Sequence, residues 1–177
     1  MKLYRGGKFG ITVGDITKLK LDAIVNSTNP QLANGFGVDA AIHSAAGPEL
    51  DAACAAIGGA NFGEAKITPG FRLPAKHIIH VVAPIWRDGH YNEEDELDRI
   101  YDTALELGRQ NGVKTIAFPA ISTGTYAFPM ELATSIALTS CVVYDQTYPN
   151  AYTRIVFCPF TNEDAEVYYR LAERFLA

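Results

Sequence analysis

Two stretches of this sequence set glycines and small hydroxyl residues between an apolar run and the start of a helical pattern. In the first, Ala23-Ile24-Val25-Asn26-Ser27-Thr28-Asn29 leads through a polar loop to Gly35-Phe36-Gly37-Val38-Asp39-Ala40-Ala41-Ile42. In the second, the run Thr115 to Phe118 continues into Pro119-Ala120-Ile121-Ser122-Thr123-Gly124-Thr125-Tyr126-Ala127-Phe128-Pro129. This layout suits an anion. Glycine lets the backbone approach a phosphate closely, and the free N–H groups of a first helical turn point at it, with a dipole term of ~0.3 to 1 kcal/mol. Either stretch alone is also what an ordinary turn before a helix looks like. Their agreement is what gives the phosphate reading weight, since loops on neighbouring strand ends would clamp a diphosphate from both sides.

The elements that must hold these loops follow from periodicity. Strands are expected at Phe9 to Val13, Ala23 to Val25, Glu64 to Thr68, His77 to Val82, Thr115 to Phe118 and Arg154 to Cys158. Helical spacing is expected over Val38 to Ala46, Glu49 to Ile57, Asn92 to Gln110, Met130 to Tyr144 and Glu163 to Phe175, with Gly47-Pro48 separating the first two. Alternating strands and helices predict an α/β fold, a largely parallel sheet with helices on both faces, and a ligand site at the carboxyl ends of the strands. No repeat or linker divides residues 1–177, so one domain is expected.

Composition narrows the partners. A chain 48% hydrophobic and 20% charged is that of an ordinary globular domain. The net charge of -5, with Lys and Arg unclustered, disfavours a nucleic-acid polymer and an RNA-binding module, and it leaves backbone N–H groups to hold an anionic ligand. Cys54, Cys141 and Cys158 are odd in number and lack a CxxC spacing, which points to a reduced, cytoplasmic setting rather than a disulfide framework. No apolar run reaches the ~18 residues of a membrane span.

Taken together, Gly14-Asp15-Ile16-Thr17, the Asn26 and Asn29 pair, Gly37-Val38-Asp39 with Ala41-Ile42-His43, and Ser122-Thr123-Gly124 with Tyr126 resemble the signature of macrodomains. The match is closest to the MacroD-type branch, through Ala45-Ala46-Gly47-Pro48 and Phe118-Pro119-Ala120-Ile121-Ser122. The resemblance implies a three-layer α/β/α fold with a mixed, largely parallel sheet. It implies ADP-ribose as ligand, with Asp15 receiving the adenine amino group, the Ile16 N–H beside it, and Phe160 favoured over Phe157 as the adenine wall. It gives the diphosphate to Gly35, Phe36, Gly37 and Val38 and to Ser122, Thr123, Gly124, Thr125 and Tyr126, with Tyr126 over the distal ribose. Asn26 belongs to the ligand site, Asn29 would hold a ribose hydroxyl, and Asp39 would orient or deprotonate the attacking water.

The implied activity is hydrolysis of ADP-ribosyl esters, on mono-ADP-ribosylated proteins or on O-acetyl-ADP-ribose, with neither cofactor nor metal. A non-catalytic ADP-ribose reader and an ADP-ribose 1''-phosphate phosphatase stand as alternatives. An unperturbed Asp titrates near ~3.9 and a helix N-terminus lowers that further, so Asp39 is expected to be a weak base until a ligand phosphate opposes the dipole. Substrate-assisted attack by the same water remains an equal reading. His43, His77, His80 and His90 show no metal spacing and are read as structural. The family's glycine run is Asn34-Gly35-Phe36-Gly37 here, which puts a phenyl ring beside the distal ribose. Ser27 and Thr28 stand for alanines, and Ala127 for a glycine.

Overall fold

The apolar runs form the centre of one seven-stranded sheet in the computed structural model, which describes residues Met1–Ala177. The strands are β1 (Lys2–Tyr4), β2 (Phe9–Ile11), β3 (Ala23–Thr28), β4 (Ala65–Pro69), β5 (His77–Val82), β6 (Thr115–Phe118) and β7 (Arg154–Phe157), in the order β1-β2-β7-β6-β3-β5-β4. The strands from β2 across to β5 run parallel, and antiparallel β1 and β4 close the two edges. The helices are α1 (Val38–Ala46), α2 (Pro48–Ile57), α3 (Glu93–Gln110), α4 (Met130–Thr147) and α5 (Asn162–Phe175). This is the mixed, largely parallel three-layer α/β/α architecture expected from the sequence.

Both faces of the central strands are covered, which is why their sequences read as continuous apolar runs rather than as alternation. Ala23, Val25, Ile79, Val81, Phe118 and Phe157 point to one side and pack with residues of α3, α4 and α5. Ile24, Ile78, Val82, Ala117 and Val156 point to the other and meet Ile42 and Ala46 of α1 and Leu50 and Cys54 of α2. No helix is long and apolar enough to cross a membrane.

Several boundaries differ from the sequence expectation for identifiable reasons. Strand β3 runs on to Thr28 because Asn26 and Thr28, though polar, are buried between neighbouring strands; the expected end at Val25 treated polarity as a loop signal. Strand β2 stops at Ile11, two residues early, although the Thr12 N–H still donates to the Phe157 carbonyl at 3.0 Å. Strand β1 was not expected, its three residues being too few to show a period. Helix α3 starts one residue late because Asn92 takes a left-handed conformation, φ 62°. Strand β4 is shifted by one residue, α2 and α5 start one residue earlier, and α4 runs on to Thr147.

Candidate functional site

Strand register builds the floor of the site. Asn26 and His80 are Cα partners on adjacent parallel strands, and like Ile24 and Ile78 they face the α1 side of the sheet. Helix α1 lies over them and presents Asp39 and His43, four residues apart and therefore on one face. The result is a dry polar cluster: Asn26 and His80 are fully buried, and Asp39 and His43 are 2% and 3% exposed.

Its hydrogen bonds fix the protonation pattern. Burial, and then His43, push His80 down to about 4, so the ring is neutral at pH 7. Its Nδ1 lies 3.1 Å from Asn26 Nδ2, an amide that can only donate, which leaves the ring proton on Nε2 to donate to Thr68 Oγ1 at 2.9 Å. Asn26 Nδ2 also donates to Asp39 Oδ1 at 2.7 Å, and the Gly35 N–H donates to Asp39 Oδ2 at 2.8 Å. Asp39 is thus held at both oxygens. Burial raises its pKa, more than the opposing effects of Asn26, His43, Gly35 and Thr28 lower it. The sequence expectation of a carboxylate weakened as a base took no account of this dry setting, in which burial raises the Asp39 pKa before any ligand arrives.

Because β3 and β6 are neighbours, the loops leaving their carboxyl ends meet and enclose a cleft of about 460 Å³. Ser27, Thr28, Asn29, the run Asn34 to Asp39, Ala120, Ser122, Gly124, Thr125 and Tyr126 line it, with no Lys or Arg among them. The N–H groups of Phe36, Gly37 and Val38 on one loop, and of Gly124, Thr125 and Tyr126 on the other, donate to no acceptor within the protein. Gly37 caps α1 at φ 60°, where a side chain would be strained. At Gly35 a Cβ would lie 3.0 Å from Asp39 Oδ2 and 3.2 Å from Asn29 Nδ2, so glycine keeps both side chains in place.

These features can be set beside known proteins. The family model described as "Macro domain" matches residues 25–137. The chain belongs to the macrodomain family. A macro domain-containing protein of Ralstonia nicotianae, RSc0334, is 51% identical over 154 residues, covering 87% of this chain and 88% of that protein. The ADP-ribose glycohydrolase MACROD2 of Xenopus laevis is 45% identical over 164 residues, which is 92% of this chain and 39% of that longer protein. A Trypanosoma brucei macrodomain solved in complex with ADP-ribose superposes with a TM-score of 0.88 at 35% identity, covering 94% of this chain and 69% of the other.

This macrodomain brings most of the expected residues together and leaves others apart. Asn29, Asp39, Gly35, Phe36, Gly37, Val38, Ser122, Gly124, Thr125 and Tyr126 all line the cleft, and Asn26 lies beneath it. Burial, and next the Asp39 charge, raise the pKa of Tyr126, so its ring shares the cleft with that carboxylate as a neutral phenol. Phe36 is 82% exposed and stands at the rim. Asn29 Nδ2 donates to the Ala33 carbonyl at 2.7 Å and Oδ1 accepts the Ala33 N–H at 3.1 Å, which folds the loop and leaves one amide N–H free.

Asp15, Ile16, Thr123 and Phe160 lie outside that cleft. Asp15 caps the short turn Ile16–Lys18, its Oδ1 accepting both the Thr17 N–H at 2.9 Å and the Thr17 hydroxyl at 2.6 Å. The Gly14 N–H donates to the Pro159 carbonyl at 3.0 Å, which brings Asp15 beside the start of the Phe160 loop. Phe160 is 75% exposed and Phe157 fully buried, so only the former offers a ring face to solvent. Thr123 turns its hydroxyl back to the Ala120 carbonyl at 2.8 Å.

The sequence reading left His43 and His80 as structural and gave Thr68 no role beyond the end of a strand. The i, i+4 spacing of Asp39 and His43 was the available signal for one of them. The His80 contact depends on strand register, which no local pattern displays. Also missed was the support of the second loop. Ser122, at φ 64°, donates its hydroxyl to the Pro84 carbonyl at 2.8 Å, and the Trp86 N–H donates to the Tyr126 carbonyl at 2.9 Å. The segment after β5 is itself gathered by Glu93, whose carboxylate accepts the N–H groups of Arg87, Gly89 and Tyr91.

Proposed function

We propose that this macrodomain binds ADP-ribose across the two loops and hydrolyses ADP-ribosyl esters, acting on mono-ADP-ribosylated acidic side chains or on O-acetyl-ADP-ribose. The observation that carries the reading is the set of six unpartnered backbone N–H groups on residues lining one cleft, with a doubly anchored, buried carboxylate at its floor. Backbone donors at a helix N-terminus suit a diphosphate, and a carboxylate whose pKa is raised suits removal of a proton from water. The relatives with the hydrolase name and the neighbour holding ADP-ribose point the same way.

In this reading Asp15 and Phe160 hold adenine and the Ile16 N–H sits beside it. Tyr126 and the free N–H of Asn29 bound the distal ribose. Water held by Asp39 attacks the anomeric ribose carbon of an acidic side-chain ester, whose carboxylate leaves with the bonding pair while Asp39 takes the water proton; on O-acetyl-ADP-ribose the same water attacks the acetyl carbonyl carbon, and the departing ribose oxygen takes up that proton. The acidic side-chain ester releases a carboxylate, so no acid is needed for that leaving group at pH 7.

The test pairs ADP-ribose affinity with release of ADP-ribose from a glutamate-linked ADP-ribosyl protein, for wild type and Asp39→Ala. Loss of turnover with binding retained is expected. Full turnover in the variant overturns the role of Asp39, and tight binding without wild-type turnover makes the protein a reader.

A further inference from the structure

Asp51 lies on α2, outside the cleft, yet it completes a line of three side chains that ends at Asp39. Its Oδ1 is 2.6 Å from His43 Nδ1, and His43 Nε2 is 3.4 Å from Asp39 Oδ1. The line runs from solvent inwards: the Asp51 side chain is 58% exposed, the His43 and Asp39 side chains 1% and 3%.

A carboxylate only accepts hydrogen bonds, so at 2.6 Å the His43 Nδ1 carries a proton and donates it. In the neutral ring that leaves Nε2 bare. Nε2 is buried and without a hydrogen-bond partner, a costly state for a polar atom unless it has work to do in the reaction. Its neighbour Asp39 Oδ1 is the oxygen that Asn26 already orients. The other titratable groups around the ring are neutral at pH 7. Burial, helped by Asp39 and Asp51, pushes the Cys54 thiol on α2 up to about 11, and His80 on β5 is held down to about 4. Asp39 and Asp51 are the two carboxylates in contact with the His43 ring.

We propose that Asp51 is a positioning residue for hydrolysis: it locks His43 in the Nδ1–H form, so that Nε2 receives the proton that Asp39 removes from the attacking water. The inference rests on Asp39 acting as the base. A water O–H bond breaks, its oxygen bonds to the anomeric carbon as the ester C–O bond breaks and the carboxylate leaves with the pair, and the proton passes from Asp39 to Nε2. Asp51 then offsets the imidazolium charge. A carboxylate that hands on its proton regains its charge during the reaction, which favours completed attack over return of the water.

The test uses the full chain with ¹⁵N-labelled histidine, His43→Gln identifying the His43 signals, in wild type, Asp51→Asn and Asp51→Glu. In Asp51→Asn an amide N–H faces Nδ1, so the ring proton is expected on Nε2 instead. Single-turnover release from a glutamate-linked ADP-ribosyl peptide should then fall about tenfold, with ADP-ribose affinity within about twofold. The effect is well short of the roughly 10,000-fold seen when a buried carboxylate behind a catalytic histidine is changed to its amide, because Asp51 is half in water. Asp51→Glu should restore both the rate and the ring proton on Nδ1. A proton that stays on Nδ1 in Asp51→Asn overturns the proposal, as does an unchanged rate after the proton has moved. Wild-type turnover in Asp39→Ala removes the role of Asp39 as base on which the inference rests, and tight binding without wild-type turnover removes the hydrolytic reading; both are separable from the position of the ring proton.

Discussion

The two faces of the sheet are built on different principles. Towards α3, α4 and α5 the packing is apolar and aromatic: Phe118 lies between Tyr101 and Phe157 with ring centroids 4.9 and 6.5 Å away, and Phe157 meets Tyr168 at 5.9 Å. Towards α1 and α2 the apolar cluster is smaller, and Asn26, His80, Thr68, Asp39 and His43 lie beside it in the same layer. One face supplies stability without specific chemistry, and the other holds desolvated polar groups that only hydrogen-bond pairing makes tolerable. The difference teaches where a substitution should be felt: stability on the first face, reactivity on the second.

The largest expected effect tests the apolar face. Phe118→Ala should lower unfolding free energy by about 3 to 5 kcal/mol in urea titration, while the surviving folded protein keeps its ADP-ribose affinity. Next, Asp39→Ala should slow ester hydrolysis by about 100-fold or more in single-turnover assays, with a smaller loss of stability than Phe118→Ala. A reversal of those two outcomes would erase the distinction between the faces.

The pH dependence of stability sharpens it. Burial holds His80 down to about 4 in the folded protein, against 6.5 for an ordinary histidine, so below 6.5 the unfolded chain binds more protons. Its contribution is complete above 6.5 and is lost as pH falls towards about 4. Asp39, raised by burial, acts in the opposite sense, so the comparison that isolates His80 is wild type against His80→Gln. Urea midpoints measured across that window should fall more steeply for wild type.

Smaller effects belong to the loops. Gly35→Val should weaken ADP-ribose binding and turnover by about tenfold by displacing Asp39 and Asn29, leaving thermal unfolding close to wild type. Phe36→Gly, at the exposed rim, should change affinity by less than about threefold by calorimetry.

The aromatic face was legible from the sequence because apolar periodicity and element type are local properties. The loops were legible too, since glycine and hydroxyl residues mark them wherever the chain goes. The polar face was only half visible. Asp39 sits in a recognisable first turn, but the sign of its pKa shift depended on burial by a sheet three-dimensionally beneath it. His80 reaches Asn26 only through the pairing of β3 with β5, and Asp51 reaches His43 only through the angle between two helices joined at Gly47. Contacts of that kind are set by assembly of distant segments, and no window of sequence contains them.

The cleft offers its ligand main-chain N–H groups and no side-chain cation. Every residue except proline carries the same N–H donor, so the grip is preserved under most other replacements of the side chains around it, and sequence drift in these loops is tolerated as long as the chain keeps its path. Such a site is robust to mutation in composition and fragile in trajectory.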